Sequence, residues 1–155
     1  MDSIANQQIS KIFDSSFNQQ YPETSKLLQQ ISEEFTKPEE SGLWNNIGNS
    51  CRDALIMFSS ELKKLTGVQT QDLKDGDAKG IISKIIKEKI SDSDFGDSLI
   101  QLLISAWKHT VSLTHRKIKT TKVEAQRIFL WVGLTISEIA RIIDMDTTGI
   151  DEIQK

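Results

Sequence analysis

The stretch that decides the fold is WKHTVSLTHRKIKTTKVEAQRIFLWVGLTISEIARII, residues 107–143. Its apolar residues recur every three or four positions, the spacing of one helix face: Ala125, Phe129, Val132, Ile136, Ile139 and Ile143. Thr121 and Glu124 match a capping box at the start of a helix. A helix over residues 122–144 is therefore predicted. Its other sides are apolar too, which is typical of a central helix or of one shared with a partner.

The rest of the chain shows the same helical spacing. Long helices are predicted over residues 42–66, 78–90 and 96–115, with one or two shorter helices before residue 40. The stripe of helix 42–66 consists of Trp44, Ile47, Cys51, Ala54, Phe58, Leu62 and Leu65, and Gly67 is the predicted cap. The row of helix 96–115 consists of Ile100, Ile104, Trp107 and Val111, with Leu99, Leu103 and Ala106 beside it, and is continued by His115. The three tryptophans, including Trp131, are expected in the core.

The predicted fold is an all-α, up-down bundle of four longer helices. The 155 residues suit one domain. Its parts are acidic N-terminal helices in residues 1–40, a bundle core in residues 42–144 and a frayed tail in residues 145–155. With one cysteine and two histidines, neither a disulfide nor a structural zinc site is expected. No leader, membrane span or nucleotide, protease or hydrolase motif is recognised, so we expect a soluble, cytoplasmic protein without a cofactor.

Charge is the unusual feature of residues 108–127. Six basic residues accompany the single acid Glu124 there, whereas the whole chain carries a formal net charge of −3. They are Lys108, Arg116, Lys117, Lys119, Lys122 and Arg127. A concentrated positive field attracts phosphate groups, so a polyanion site is predicted. A solvated loop behind a helix C-terminus explains the run equally well, because the helix dipole favours cations there.

His115 and Lys108 are the candidate catalytic residues. An imidazole suits proton transfer near neutral pH, and nearby cations stabilise charge that develops on a scissile phosphate. RNA carries its own nucleophile, the 2′-hydroxyl, so such a site needs no metal. The two residues lie about 10 Å apart along a helix, too far to hold one phosphoryl group without a helix break or a second subunit. A structural, half-buried His115 is the alternative.

Three segments together resemble HEPN domains of the abortive-infection type. They are WNNIGNSCRDALIMFSSELKK at 44–64, WKHTVSLTHR at 107–116 and TKVEAQRIFLWVGLTISEIARII at 121–143. The family's specific motif is an Arg followed, after four to six residues, by a His, at a composite site between two protomers of metal-independent ribonucleases. The resemblance implies that His115 is the catalytic histidine and that Lys108 occupies the Arg position. His109 would be the polar residue that accompanies the Arg.

Lys108 departs from the family pattern. Lysine keeps the charge but lacks the planar fork that holds a phosphate at two points. The resemblance therefore leaves open whether cleavage is retained.

The sequence thus predicts a HEPN-like, dimeric bundle that binds or cleaves RNA. His115 would act as general acid or base at the 2′-hydroxyl. The predicted RNA contacts are His109, Arg116, Lys117, Lys119, Lys122 and Arg52. Arg52 could equally pair with an acid across helices, and His109 could be an ordinary surface residue. The alternative function is a non-catalytic oligomerisation or interaction module of a larger complex, with helix 122–144 as its interface; a DNA-binding regulator is a third.

Overall fold

The predicted all-α fold is confirmed by a computed structural model, which describes residues 15–115 and 119–154. Within these ranges the chain forms six α-helices and no strand. The helices are α1 (Ser15–Gln20), α2 (Pro22–Glu34), α3 (Asn46–Thr66), α4 (Ala78–Lys89), α5 (Ser93–Thr114) and α6 (Lys122–Gln154). A short 3-10 helix, Glu39–Ser41, lies between α2 and α3. Of the shorter helices predicted before residue 40, the part in residues 1–14 lies outside the described residues.

Local sequence sets the helix ends. Pro22 opens α2, and Gly67 closes α3 in the left-handed conformation, with φ 71°, that glycine adopts without a Cβ clash. Asp77 and Asp92 accept the Gly80 and Phe95 N–H groups at 3.0 and 3.1 Å and cap α4 and α5. As predicted, Thr121 caps α6, where its Oγ1 accepts the Glu124 N–H at 3.2 Å.

Three predicted boundaries differ from the structure by three residues or more. Helix α5 begins at Ser93 rather than at residue 96, directly after its cap Asp92. Helix α3 begins at Asn46 rather than at residue 42. The preceding turn is held by Trp44, whose Nε1 donates to the Glu39 carbonyl at 2.8 Å. At the other end of the chain, the backbone of α6 stays helical to Gln154, through the segment predicted as a frayed tail.

Helix α3 is the centre of the bundle, because it packs against α2, α4, α5 and α6. Its core stripe is fully buried at Cys51, Ala54, Leu55, Phe58 and Leu62. Leu65, predicted as the end of this stripe, is 50% exposed, since it lies on the last turn of the helix. The predicted core face of α6 is confirmed, because its members from Ala125 to Ile143 are all buried.

The buried face of α5 is rotated relative to the prediction. Leu99, Leu103, Ala106 and Leu113 lie in the core. Ile104, in the predicted row, is 39% exposed, and Trp107 and Val111 are half-buried. The predicted row therefore lies at the edge of the core, and its continuation, His115, reaches the surface.

A carboxylate fixes α2 to the C-terminal half of α3. Glu61 of α3 accepts the backbone N–H groups of Glu23 and Thr24 at 3.1 and 2.7 Å and the Thr24 hydroxyl at 2.6 Å. These are first-turn groups of α2, which has no side-chain cap of its own. Glu61, on a different helix of the same chain, therefore supplies the hydrogen-bond acceptor that the N-terminus of α2 requires.

At Gly48, α3 and α5 approach each other closely. A Cβ at this position would lie 2.5 Å from the Thr114 Oγ1 and 2.6 Å from the Thr110 carbonyl oxygen. Only a residue without a side chain allows this approach.

Among the described helices, none combines the length and hydrophobicity that crossing a bilayer requires.

We predict that Gly48→Ala destabilises the protein although alanine favours helix formation. Overpacking against a backbone carbonyl costs about 1–3 kcal/mol, whereas the gain in helix propensity is about 1 kcal/mol. The measurement is the urea midpoint of unfolding followed by circular dichroism.

The matched control is Gly96→Ala, another buried helical glycine. A Cβ there would lie 3.5 Å from the Ile86 Cγ2, an ordinary contact. This variant should be as stable as the original chain or more stable. A Gly48→Ala midpoint that is equal to or above the original value would contradict the close approach.

Candidate nucleic-acid interface

Lys108 and His115 lie on the outward face of α5, and both side chains are exposed. Helix α5 ends at Thr114, and His115 is its C-terminal cap, with a backbone N–H that donates to the Val111 carbonyl at 3.1 Å. The alternative of a half-buried, structural His115 is therefore wrong. The two side chains are separated by about 10 Å of helix rise, so they face different points of any extended ligand.

Two cations from neighbouring helices converge on Trp107 of α5. The Arg52 guanidinium carbon of α3 lies 5.9 Å from the indole centroid, and the Lys79 Nζ of α4 lies 5.8 Å from it. Both distances are within the range of cation–π attraction. In the described parts of the chain, neither cation has an ion pair with a carboxylate. Arg52 therefore lies on an aromatic ring and not in the cross-helix ion pair considered as its alternative.

We call this surface the cationic edge and define it as Arg52, Lys79, Trp107, Lys108 and His115. No Asp or Glu occurs anywhere in residues 98–123. The acid nearest in sequence to Lys79 is Asp77, whose carboxylate accepts the Gly80 N–H as the cap of α4. The edge thus concentrates positive charge in a chain that is acidic as a whole.

Lys79 lies at the N-terminus of α4. It is the second residue of the helix, two positions after Asp77, whose carboxylate caps the helix. The N-terminus of a helix carries partial positive charge, which favours an anion. Asp77 supplies that negative charge, while the Lys79 ammonium lies over Trp107.

The other predicted contacts are distributed differently. The ring of His109 lies 4.7 Å from that of Trp131, on the side of α5 that faces α6. The Lys122 Nζ donates to the Lys37 carbonyl at 2.8 Å, and its backbone N–H donates to Glu39 at 3.0 Å, which holds it against the segment before α3. Lys119 is exposed. Arg116 and Lys117 lie outside the described residues.

Trp107 and Lys79 are the site residues that sequence reasoning missed. Trp107 was predicted to be core, but its indole is half-buried and carries the two cations. Lys79 gave no signal in the sequence, because it meets Trp107 only when α4 and α5 pack together.

Neither a reactive thiol nor a metal site accompanies the cationic edge in the described residues. Cys51 is fully buried, and this burial raises the pKa of its thiol, so it stays protonated and shielded from solvent. In the described ranges, no three His, Cys, Asp or Glu side chains are grouped so that they could hold a metal ion. The chemistry that the edge itself offers is phosphate binding by Arg52, Lys79 and Lys108, and proton transfer by His115.

The likeness to HEPN domains rests on helix order and on the spacing of Lys108 and His115. The relationship stays a prediction, because a shared helical fold does not by itself establish a family. Comparison with family models, with curated proteins and with solved structures found no match for this chain.

Proposed function

We propose that the chain binds RNA through the cationic edge. The observation that carries this proposal is the position of Arg52 and Lys79 against the same indole, where neither forms an ion pair with a carboxylate of residues 15–115 or 119–154. Two cations near the same ring attract an anion more strongly than one does. Phosphate suits both groups, because guanidinium and ammonium donate charge-assisted hydrogen bonds to its oxygens.

An extended polyanion fits the edge better than a single phosphate. From Trp107 to His115 the surface runs along about 12 Å of helix, and Lys108 lies between them. A nucleic-acid backbone repeats its phosphates and can contact these cations in succession. An aromatic ring among cations is also the combination with which proteins hold single strands, since bases stack on the ring while phosphates meet the charges.

His115 adds the possibility of cleavage at this edge. In the proposed reaction, its imidazole removes the proton of the RNA 2′-hydroxyl, whose oxygen attacks the adjacent phosphorus. The bond from phosphorus to the 5′-oxygen of the next nucleotide breaks, this oxygen takes up a proton from water, and a 2′,3′-cyclic phosphate remains. Lys108, separated from His115 by about 10 Å of helix rise, binds a neighbouring phosphate of the same strand and so positions the scissile bond. This is the ribonuclease reading that the HEPN resemblance implies, with Lys108 in the position of the family's arginine.

An oligomerisation module is the second candidate function. It is favoured by Trp131 and Leu134 of α6, which are 40% and 49% exposed although both are large and apolar. The two functions use different sides of α5 and are compatible in one protein.

We predict that the double variant Arg52→Gln, Lys79→Gln binds RNA roughly tenfold more weakly, which corresponds to about 0.7 kcal/mol for each cation. The measurement is fluorescence anisotropy with labelled single-stranded RNA over a series of salt concentrations. Loss of two phosphate contacts should also lower the slope of log affinity against log salt by roughly 1.4.

The control is the double variant Lys64→Gln, Lys87→Gln, which removes two exposed lysines from the same two helices, α3 and α4. It should retain the original affinity and most of the slope. Equal losses in both double variants would show nonspecific attraction and contradict a defined site. Stronger binding of random duplex DNA than of RNA would favour the DNA-binding reading.

We predict that Lys108→Arg increases RNA cleavage in EDTA, because the planar guanidinium holds a phosphate at two points. Adding His115→Ala should lower that rate by roughly 100-fold or more, the usual contribution of a general acid or base. The measurement is the decay of a labelled RNA on denaturing gels. His109→Ala, the chain's other histidine, is the control and should leave cleavage intact. If Lys108→Arg cleaves no RNA, the ribonuclease proposal fails and RNA binding is tested separately.

A further inference from the structure

Helix α6 carries an apolar face that its own bundle does not cover. Val123, Leu134 and Trp131 are 52%, 49% and 40% exposed. They lie on the side of the helix opposite the core residues Phe129 and Ile136, which are at most 1% exposed. Three large apolar side chains that recur along one exposed helix face mark a contact surface more often than a free one.

A groove runs beside this face between α5 and α6. It is lined mainly by apolar side chains, with Leu102 on α5 and Ile128, Leu130, Trp131 and Leu134 on α6. The ring of His109 forms its floor against Trp131. The charged residues of the lining are Arg127 and Glu138, one toward each end of the apolar stretch.

The order of these residues is symmetric about the peptide bond between Val132 and Gly133. This bond is the midpoint between Trp131 and Leu134 and also the midpoint between Arg127 and Glu138. Val123 and Ile142 share it, and so do Glu124 and Arg141. Each charge named here therefore has an opposite charge at the mirrored position. The exposed apolar residues Val123, Trp131 and Leu134 have apolar mirror positions, whereas Ile128 and Leu130 mirror Ser137 and Thr135.

Opposite charges at mirrored positions favour a second copy of the same chain as the partner of this face. A second copy rotated about a twofold axis through the midpoint runs antiparallel and places its Glu138 opposite Arg127 and its Leu134 opposite Trp131. A copy placed parallel in the same register would set Arg127 against Arg127 and Glu138 against Glu138. Charge complementarity thus selects the antiparallel arrangement.

We propose that two copies of the chain dock antiparallel through the α6 face, with reciprocal pairing of Arg127 and Glu138. Glu138 already accepts two hydrogen bonds from Arg141, at 2.8 and 3.1 Å. A carboxylate has about four acceptor positions, so it bridges Arg141 of its own chain and Arg127 of the second copy.

The dimer leaves the cationic edge free. Trp107, at that edge, and His109, in the groove, lie about 200° apart around α5. Two RNA-binding edges would therefore face away from the interface and bind one RNA bivalently. The dimer proposal itself rests on α6 alone and does not depend on RNA binding.

Charge reversal tests the arrangement, with sedimentation velocity as the measurement of self-association. Arg127→Glu alone and Glu138→Arg alone each create two like-charged contacts in an antiparallel homodimer, so each should weaken dimerisation at least about tenfold. In a mixture of the two variants, the heterodimer has two attractive contacts. The mixture should therefore dimerise with an affinity close to that of the original chain.

Leu134→Glu and Leu65→Glu provide the matched pair for the apolar contact. Both leucines are about half exposed on helices, at 49% and 50%, but only Leu134 lies on the α6 face. Leu134→Glu should give a monomer, and Leu65→Glu should leave the dimer intact. A chain that is monomeric at all concentrations overturns the proposal. A dimer whose affinity is not recovered in the mixture overturns the antiparallel pairing.

Discussion

The close approach of α3 and α5 at Gly48 is the constraint on which the rest of the structure depends. Because Gly48 has no side chain, the Thr110 carbonyl and Thr114 of α5 come within contact distance of the α3 backbone. The helices run antiparallel, so one turn further along α3 the side chain of Arg52 meets Trp107, one turn back along α5. A wider spacing of the two helices would separate the guanidinium from the indole.

Each side of α5 has a different role. Leu103 and Ala106 face the core and hold the helix in the bundle. Trp107 faces α3 and α4 and makes cation–π contacts with Arg52 and Lys79. His109 faces α6, where it supports the exposed Trp131. One helix therefore separates a charged surface from an apolar one, and a ligand on either surface leaves the other accessible.

The helices themselves could be predicted from the sequence, because apolar spacing and capping residues act locally. Gly67 and Thr121 mark helix ends that the structure reproduces. The rotation of α5 and the exposure of Trp131 could not be predicted in this way, since they depend on which neighbour packs beside each helix. The contacts of Arg52 and Lys79 with Trp107 could not be predicted either, because they join three helices that are distant in sequence.

The indole N–H signals of the three tryptophans test the proposed RNA-binding site most directly. Trp44 is buried, Trp107 lies on the cationic edge and Trp131 lies on the α6 face, so each reports a separate part of the molecule. In a titration of ¹⁵N-labelled protein with single-stranded RNA, the account predicts a shift of the Trp107 signal while those of Trp44 and Trp131 stay in place. An unchanged Trp107 signal at saturating RNA, or a shift confined to Trp131, would contradict it.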